Sequence, residues 1–70
     1  MASIYHYYIN GMDPVKARYP DNAVKRTFGK YAEAREISEG FFEVHENHEY
    51  YGDYLIGFMV RGTHPLPSNR

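Results

Sequence analysis

The sequence predicts a small α+β domain: an antiparallel sheet of four to five strands with one helix packed across one face, in the order β-β-β-α-β-β. Three observations predict it. Residues 3–9 are rich in Ile and Tyr, which suit a pleated surface, and residues 41–46 alternate, with Phe42 and Val44 on one side and Glu43 and His45 on the other. Residues 54–60, Tyr-Leu-Ile-Gly-Phe-Met-Val, form an apolar run too short for a buried helix and right for a central strand. One stretch, residues 30–39, places Tyr31, Ala34 and Ile37, with Phe41 just beyond it, at three- and four-residue steps, the spacing of a helical stripe.

The elements follow in order. Residues 3–9 read as a first strand, closed by the turn dipeptide Asn10-Gly11. Asp13-Pro14 could open a helical turn, but Val15, Ala17 and Tyr19 alternate with Lys16 and Arg18, and the strand reading is preferred. Tyr19-Pro20-Asp21-Asn22 reads as a type I turn with proline preset at its second position, and residues 24–28 as a third strand. Gly29 interrupts. Residues 30–39 contain Ala32, Ala34 and Arg35, no proline, and Gly40 as a stop, so the helix is placed there, although Glu39 at its C-terminal end opposes the dipole. Strands at 41–46 and 53–60 flank a polar loop, and Gly57 marks a bulge or a close neighbour. Residues 1–62 form one domain, and 63–70, with Pro65 and Pro67, are expected to be a disordered tail.

Seventy residues with no cysteine exclude large catalytic folds, disulfide frameworks and thiolate metal sites. No leader of basic then apolar residues and no span of membrane length is read, so the cytoplasm is the expected compartment and no membrane partner is expected. The net charge of −1 hides an asymmetry: residues 1–35 hold six basic side chains against three acids, and residues 36–70 hold six acids against two bases. Such a molecule can steer a charged partner to one side.

His45-Glu46-Asn47-His48-Glu49 has metal-capable side chains, but not the i, i+4 helical spacing of a zincin. On a strand, His45 and His48 point to opposite faces, so a solvated hairpin is the reading and no metal or cofactor is expected. Gly29-Lys30 lacks the second glycine and the Ser/Thr of a phosphate loop, and no serine or threonine sits in a nucleophile elbow. The chain is therefore read as non-enzymatic.

Two constellations remain. Eight tyrosines are an unusual load, and Tyr is large, rigid and half polar, as interface hot spots require. Tyr5, Tyr7 and Tyr8 with Tyr50, Tyr51 and Tyr54, and the acids Glu46 and Glu49, are the candidate partner-binding residues. Lys16, Arg18, Lys25, Arg26 and Lys30, on a hairpin built from residues 15–19 and 23–28, are the candidate nucleic-acid contacts, with aromatic rings to stack on bases. An isoelectric point near 6.4 argues against a dedicated nucleic-acid binder. The expected function is a small inhibitor or adaptor, of the kind encoded by phages or mobile elements, that occludes a larger host protein or complex. A nucleic-acid-binding module is the alternative, and a structural subunit of a homo-oligomer, such as a homodimer, the second.

Overall fold

The computed structural model describes residues 3–67, and they form one antiparallel five-stranded sheet with one helix. The chain runs β1 (Tyr5–Ile9), β2 (Val15–Ala17), α1 (Pro20–Phe28), β3 (Ala32–Ser38), β4 (Phe41–His48) and β5 (Gly52–Arg61). The spatial order is β2-β1-β5-β4-β3. The fold class matches the sequence reading, and the apolar run does become the central strand, β5. The position of the helix does not match: the order is β-β-α-β-β-β, and two segments exchange roles.

The first exchange is at residues 20–28, read from sequence as a turn and a strand. Pro20 opens the helix at its first turn, where its missing N–H costs nothing, and Asp21 lies at the positive end of the dipole. A type I turn already has near-helical dihedral angles at its central residues, so the predicted turn continues into a helix. Pro20, Ala23, Val24, Thr27 and Phe28 lie on one stripe, with Ala23 and Val24 fully buried. Gly29 ends the helix at φ 113°, its N–H donating to Lys25 O at 2.9 Å.

The second exchange is at residues 32–38, read as the helix and found as β3. Ala32 and Ala34 face the core, while Glu33 and Arg35 face outward. Pairing with β4, with Ala34 opposite Val44 and Glu36 opposite Phe42, outweighs the helix propensity of Ala, Glu and Arg, a difference of about 0.7 kcal/mol per residue at most. Alanines fit because the helix packs directly over this strand.

One face of the sheet meets the helix. The core there comprises Tyr7 and Ile9 of β1, Ala17 of β2, Ala23 and Val24 of α1, Ala32 of β3, Phe42 and Val44 of β4, and Met59 of β5. Tyr7 and Phe42 meet edge to face at 6.1 Å. The other face has no layer over it, and Tyr8, Leu55, Phe58 and Val60 stay exposed there.

The ladder between β4 and β5 shifts register between Val44 and His45, so Ile56 is the extra residue beside Gly57. Gly57 satisfies both readings of it at once. A Cβ there would lie 2.2 Å from the Asn10 side-chain nitrogen, and that side chain is anchored because Phe58 N–H donates to Asn10 Oδ1 at 3.2 Å. Beyond β5, Leu66 N–H donates to Ile4 O at 2.7 Å, so the segment read as the start of a tail carries one backbone pairing. Residues 68–70 of that tail lie outside the described residues.

Replacing Gly57 with alanine is expected to expel the Asn10 side chain and cost about 1–2 kcal/mol, from one lost hydrogen bond and local overpacking. Urea titration checks this. An unchanged midpoint would show that Asn10 does not hold this bulge.

Candidate functional site

The β4–β5 hairpin runs past the end of the helix. Its strands pair as far as His48 opposite Gly52, and the three-residue connection Glu49-Tyr50-Tyr51 closes with Gly52 at φ 83°. That is a bulged hairpin turn, which needs a left-handed residue at its last position. Two-residue alternation places Glu46, His48 and Tyr54 on the helix-side face of the projecting part, and Glu43, His45 and Asp53 on the other.

On the helix-side face the rings gather around His48. Tyr31, just before β3, lies 4.4 Å from it, Tyr54 stacks nearly parallel at 5.9 Å, and Tyr51 meets it edge-on at 5.7 Å. Tyr31 is held in place because Asn47 N–H donates to its carbonyl at 3.0 Å. Below the rings, one carboxylate oxygen of Glu46 accepts from the Tyr54 hydroxyl at 3.0 Å and lies 3.1 Å from His48 Nε2. Those two bonds hold the Glu46 carboxyl below its ordinary value, His48 contributing first, and the bond to Glu46 pushes the Tyr54 hydroxyl up. At the turn itself Tyr50 is 91% exposed and Tyr51 80%, beside the charge of Glu49.

The opposite face carries an ionic network. His45 stands between two carboxylates, Nδ1 3.0 Å from Asp53 and Nε2 2.9 Å from Glu43. Arg35 bonds Asp53 and, at 3.3 Å, Glu33, while the Asn47 side-chain amide donates to Glu33 at 3.2 Å. The guanidinium of Arg35, followed by the His45 ring, holds the Asp53 carboxyl below the usual carboxylate range. His45 and His48 thus serve opposite faces and do not converge.

The sequence-predicted residues divide unequally. Tyr50, Tyr51, Tyr54, Glu46 and Glu49 all belong to the hairpin end. Tyr7 does not reach a partner: it is 1% exposed in the core, and that burial pushes its hydroxyl up. Tyr5 is half-buried under the Arg61 guanidinium, 5.2 Å from its ring, beside an open cleft of about 320 Å³ lined also by Glu39, Gly40, Gly62 and Thr63. Tyr8 lies on the uncovered sheet face, its ring 6.1 Å from that of His6. The three N-terminal tyrosines therefore form no common surface.

The basic hairpin also does not form, because residues 20–28 are helical. Lys25 donates to Ala32 O at 2.6 Å and to Lys30 O at 3.3 Å, and Arg26 donates to Lys16 O. Lys30 stands over the Tyr31 ring at 5.3 Å. Lys16 sits on β2 with its side chain on the uncovered face, and Arg18 follows β2 in an exposed position. Sequence reasoning missed Tyr31 and His48 as members of the aromatic group. Alternation carried on through His48 would have placed it beside Glu46, whereas Tyr31 arrives only through the β3–β4 register.

No helix among the described residues is long and apolar enough to cross a membrane. Comparison with family models, with curated proteins and with solved structures finds no match.

The depressed carboxyls make stability acid-sensitive. A group whose folded value lies below its unfolded one stabilises the fold above the unfolded value and loses that effect as pH falls through the folded one. Thermal midpoints are expected to fall below about pH 4 as Glu46 and Asp53 take protons. Glu46→Gln is expected to flatten part of that slope. Circular dichroism melts across this range check it, and a level midpoint down to about pH 2.5 would refute the linkage.

Proposed function

We propose that this chain is a non-enzymatic binding module that docks on a larger protein through the end of its β4–β5 hairpin and blocks that partner by occupying its surface. The observation that carries the reading is the placement of Tyr50 and Tyr51. They are the most exposed large hydrophobic side chains described, and they stand at the end of a projecting hairpin beside rings already ordered around His48. Rigid aromatic side chains lose little entropy on docking, so such a surface is suited to supply the centre of an interface.

Charge favours a basic partner surface. Glu46 and Glu49 flank the rings on one side, and Glu33, Glu43 and Asp53 lie on the other, against the single guanidinium of Arg35. Carboxylates at that density repel phosphates, which disfavours stacking of bases on these same tyrosines. Lys25 and Arg26, the centre of the alternative nucleic-acid surface, already donate to backbone carbonyls of the fold. The reading places the module in the cytoplasm and requires no cofactor.

Capture of partners from the source lysate by the tagged chain, with nuclease present, tests it. One protein is expected to bind in stoichiometric amount, and Tyr50→Ala with Tyr51→Ala to weaken its affinity at least about tenfold, as loss of hot-spot residues does. Both substitutions sit in a solvated turn, so the fold should survive, as circular dichroism would verify. Binding that persists in the double variant removes the hairpin end from the interface. Capture that disappears with nuclease transfers the function to nucleic acid.

A further inference from the structure

The uncovered face of the sheet is a second surface that shares the acids Glu33, Glu43 and Asp53 with the hairpin end, and its apolar stripe lies apart from the exposed tyrosines of the turn. It is built from the outward residues of all five strands, with Tyr8, Phe41, Phe58 and Val60 at its centre and Lys16 and Glu43 at opposite corners. Tyr8 lies directly opposite Val60, which lies opposite Phe41. Phe41 and Phe58 stack at 5.8 Å with planes 4° apart. Roughly 300–400 Å² of apolar surface stays wet here, comparable with the largest patch on an ordinary monomer and often functional.

The charges around this stripe are arranged diagonally. Lys16 stands at one corner, three strands across and four residues along from Glu43, or roughly 20 Å by strand geometry. At Glu43's corner three carboxylates, Glu33, Glu43 and Asp53, face one guanidinium and one imidazole, so negative charge is left over. The midpoint of the diagonal falls on the Tyr8–Val60 pair.

We infer that this face is a two-fold interface with a second copy of the chain, centred on Tyr8 and Val60, in which Lys16 of each copy meets the acidic corner of the other. A two-fold axis lying in the interface, perpendicular to the diagonal, exchanges its two ends. It therefore brings each ammonium over surplus carboxylates while the apolar stripes meet at the centre. That is the self-complementarity an isologous contact requires, and a patch with charge of one sign would lack it. The apolar area is about half of the roughly 800 Å² per partner in a standard interface, with the charged rim supplying the rest. The dimer therefore forms in a concentration-dependent way and is not obligate.

Sedimentation equilibrium of the full chain reads this directly. At about 200 µM protein and low salt, the wild type is expected to show a mass near twice 8.2 kDa. Val60→Glu, an exposed position that leaves the core intact, is expected to raise the dissociation constant at least about tenfold, because two carboxylates would meet on the axis. Lys16→Glu is expected to weaken the dimer, and Lys16→Glu combined with Glu43→Lys to restore it, a rescue that a general effect on folding would not produce. A wild type that remains monomeric at this concentration overturns the inference. So does a Val60→Glu variant that associates as well as the wild type. A double exchange that folds normally and does not restore association overturns the two-fold arrangement.

Discussion

Every open sheet has two edges whose backbone groups lack partners, and in this chain one nine-residue helix serves both. The helix lies between β2 and β3 in the chain, and those strands are the two edges of the sheet. From its surface Arg26 donates to Lys16 O on β2. Lys25 donates to Ala32 O, and Asp21 accepts from Ala34 N–H at 2.9 Å, both on β3. Ala23 and Val24 on the same helix fill the core between these contacts. The helix is thus a buried layer and an edge cover at once, and it blunts the strand-to-strand association that exposed edges invite.

Much of the remaining architecture follows from that arrangement. A helix this short packs against the edge strands β2 and β3 and leaves the far end of the β4–β5 hairpin without cover. The β4–β5 hairpin, the longest in the sheet, therefore projects beyond it and must stabilise its far end by other means. It does so with rings around His48 on one side and with the Arg35–Asp53–His45–Glu43 network on the other. The same shortage leaves the second face of the sheet bare, with its apolar stripe between Lys16 and the acids. The basic residues that looked available in the linear sequence are partly consumed in holding the edges, while the acids accumulate on the hairpin. The charge asymmetry between the two halves of the chain thus survives folding as a difference between the helix side and the hairpin end.

The exchanged roles of residues 20–28 and 30–39 show where local rules compete. Tyr31, Ala34, Ile37 and Phe41 have helical spacing, yet Tyr31 joins the hairpin rings, Ile37 falls at the bulge in β3, and Phe41 stacks on Phe58. Pro20, Ala23, Val24, Thr27 and Phe28 have equally good helical spacing and carry the stronger start signal. Two adjacent windows both suited a helix, and the window with proline at the first position and an acid in the first turn took it. The alanines of the other window gain more as small residues beneath that helix. At the candidate site, the hairpin tyrosines and Glu46 and Glu49 were legible because a turn between two amphipathic strands must expose its side chains. Tyr7 was not distinguishable from Tyr8 by residue type, since one register step decides which of two neighbours is core.

The amino-acid sequence alone determined the α+β class, the antiparallel pair of strands at the C-terminal end, the central position of residues 54–60 and the special role of Gly57. These follow from periodicity, from chain length and from turn chemistry, all of which act between near neighbours. Only the tertiary structure decided which window is the helix, that β1 pairs with β5, that Tyr31 meets His48, and that Lys25 and Arg26 hold edges. The reason is that each of these depends on strand register and on which face another element covers, and such contacts are made by residues far apart in the chain.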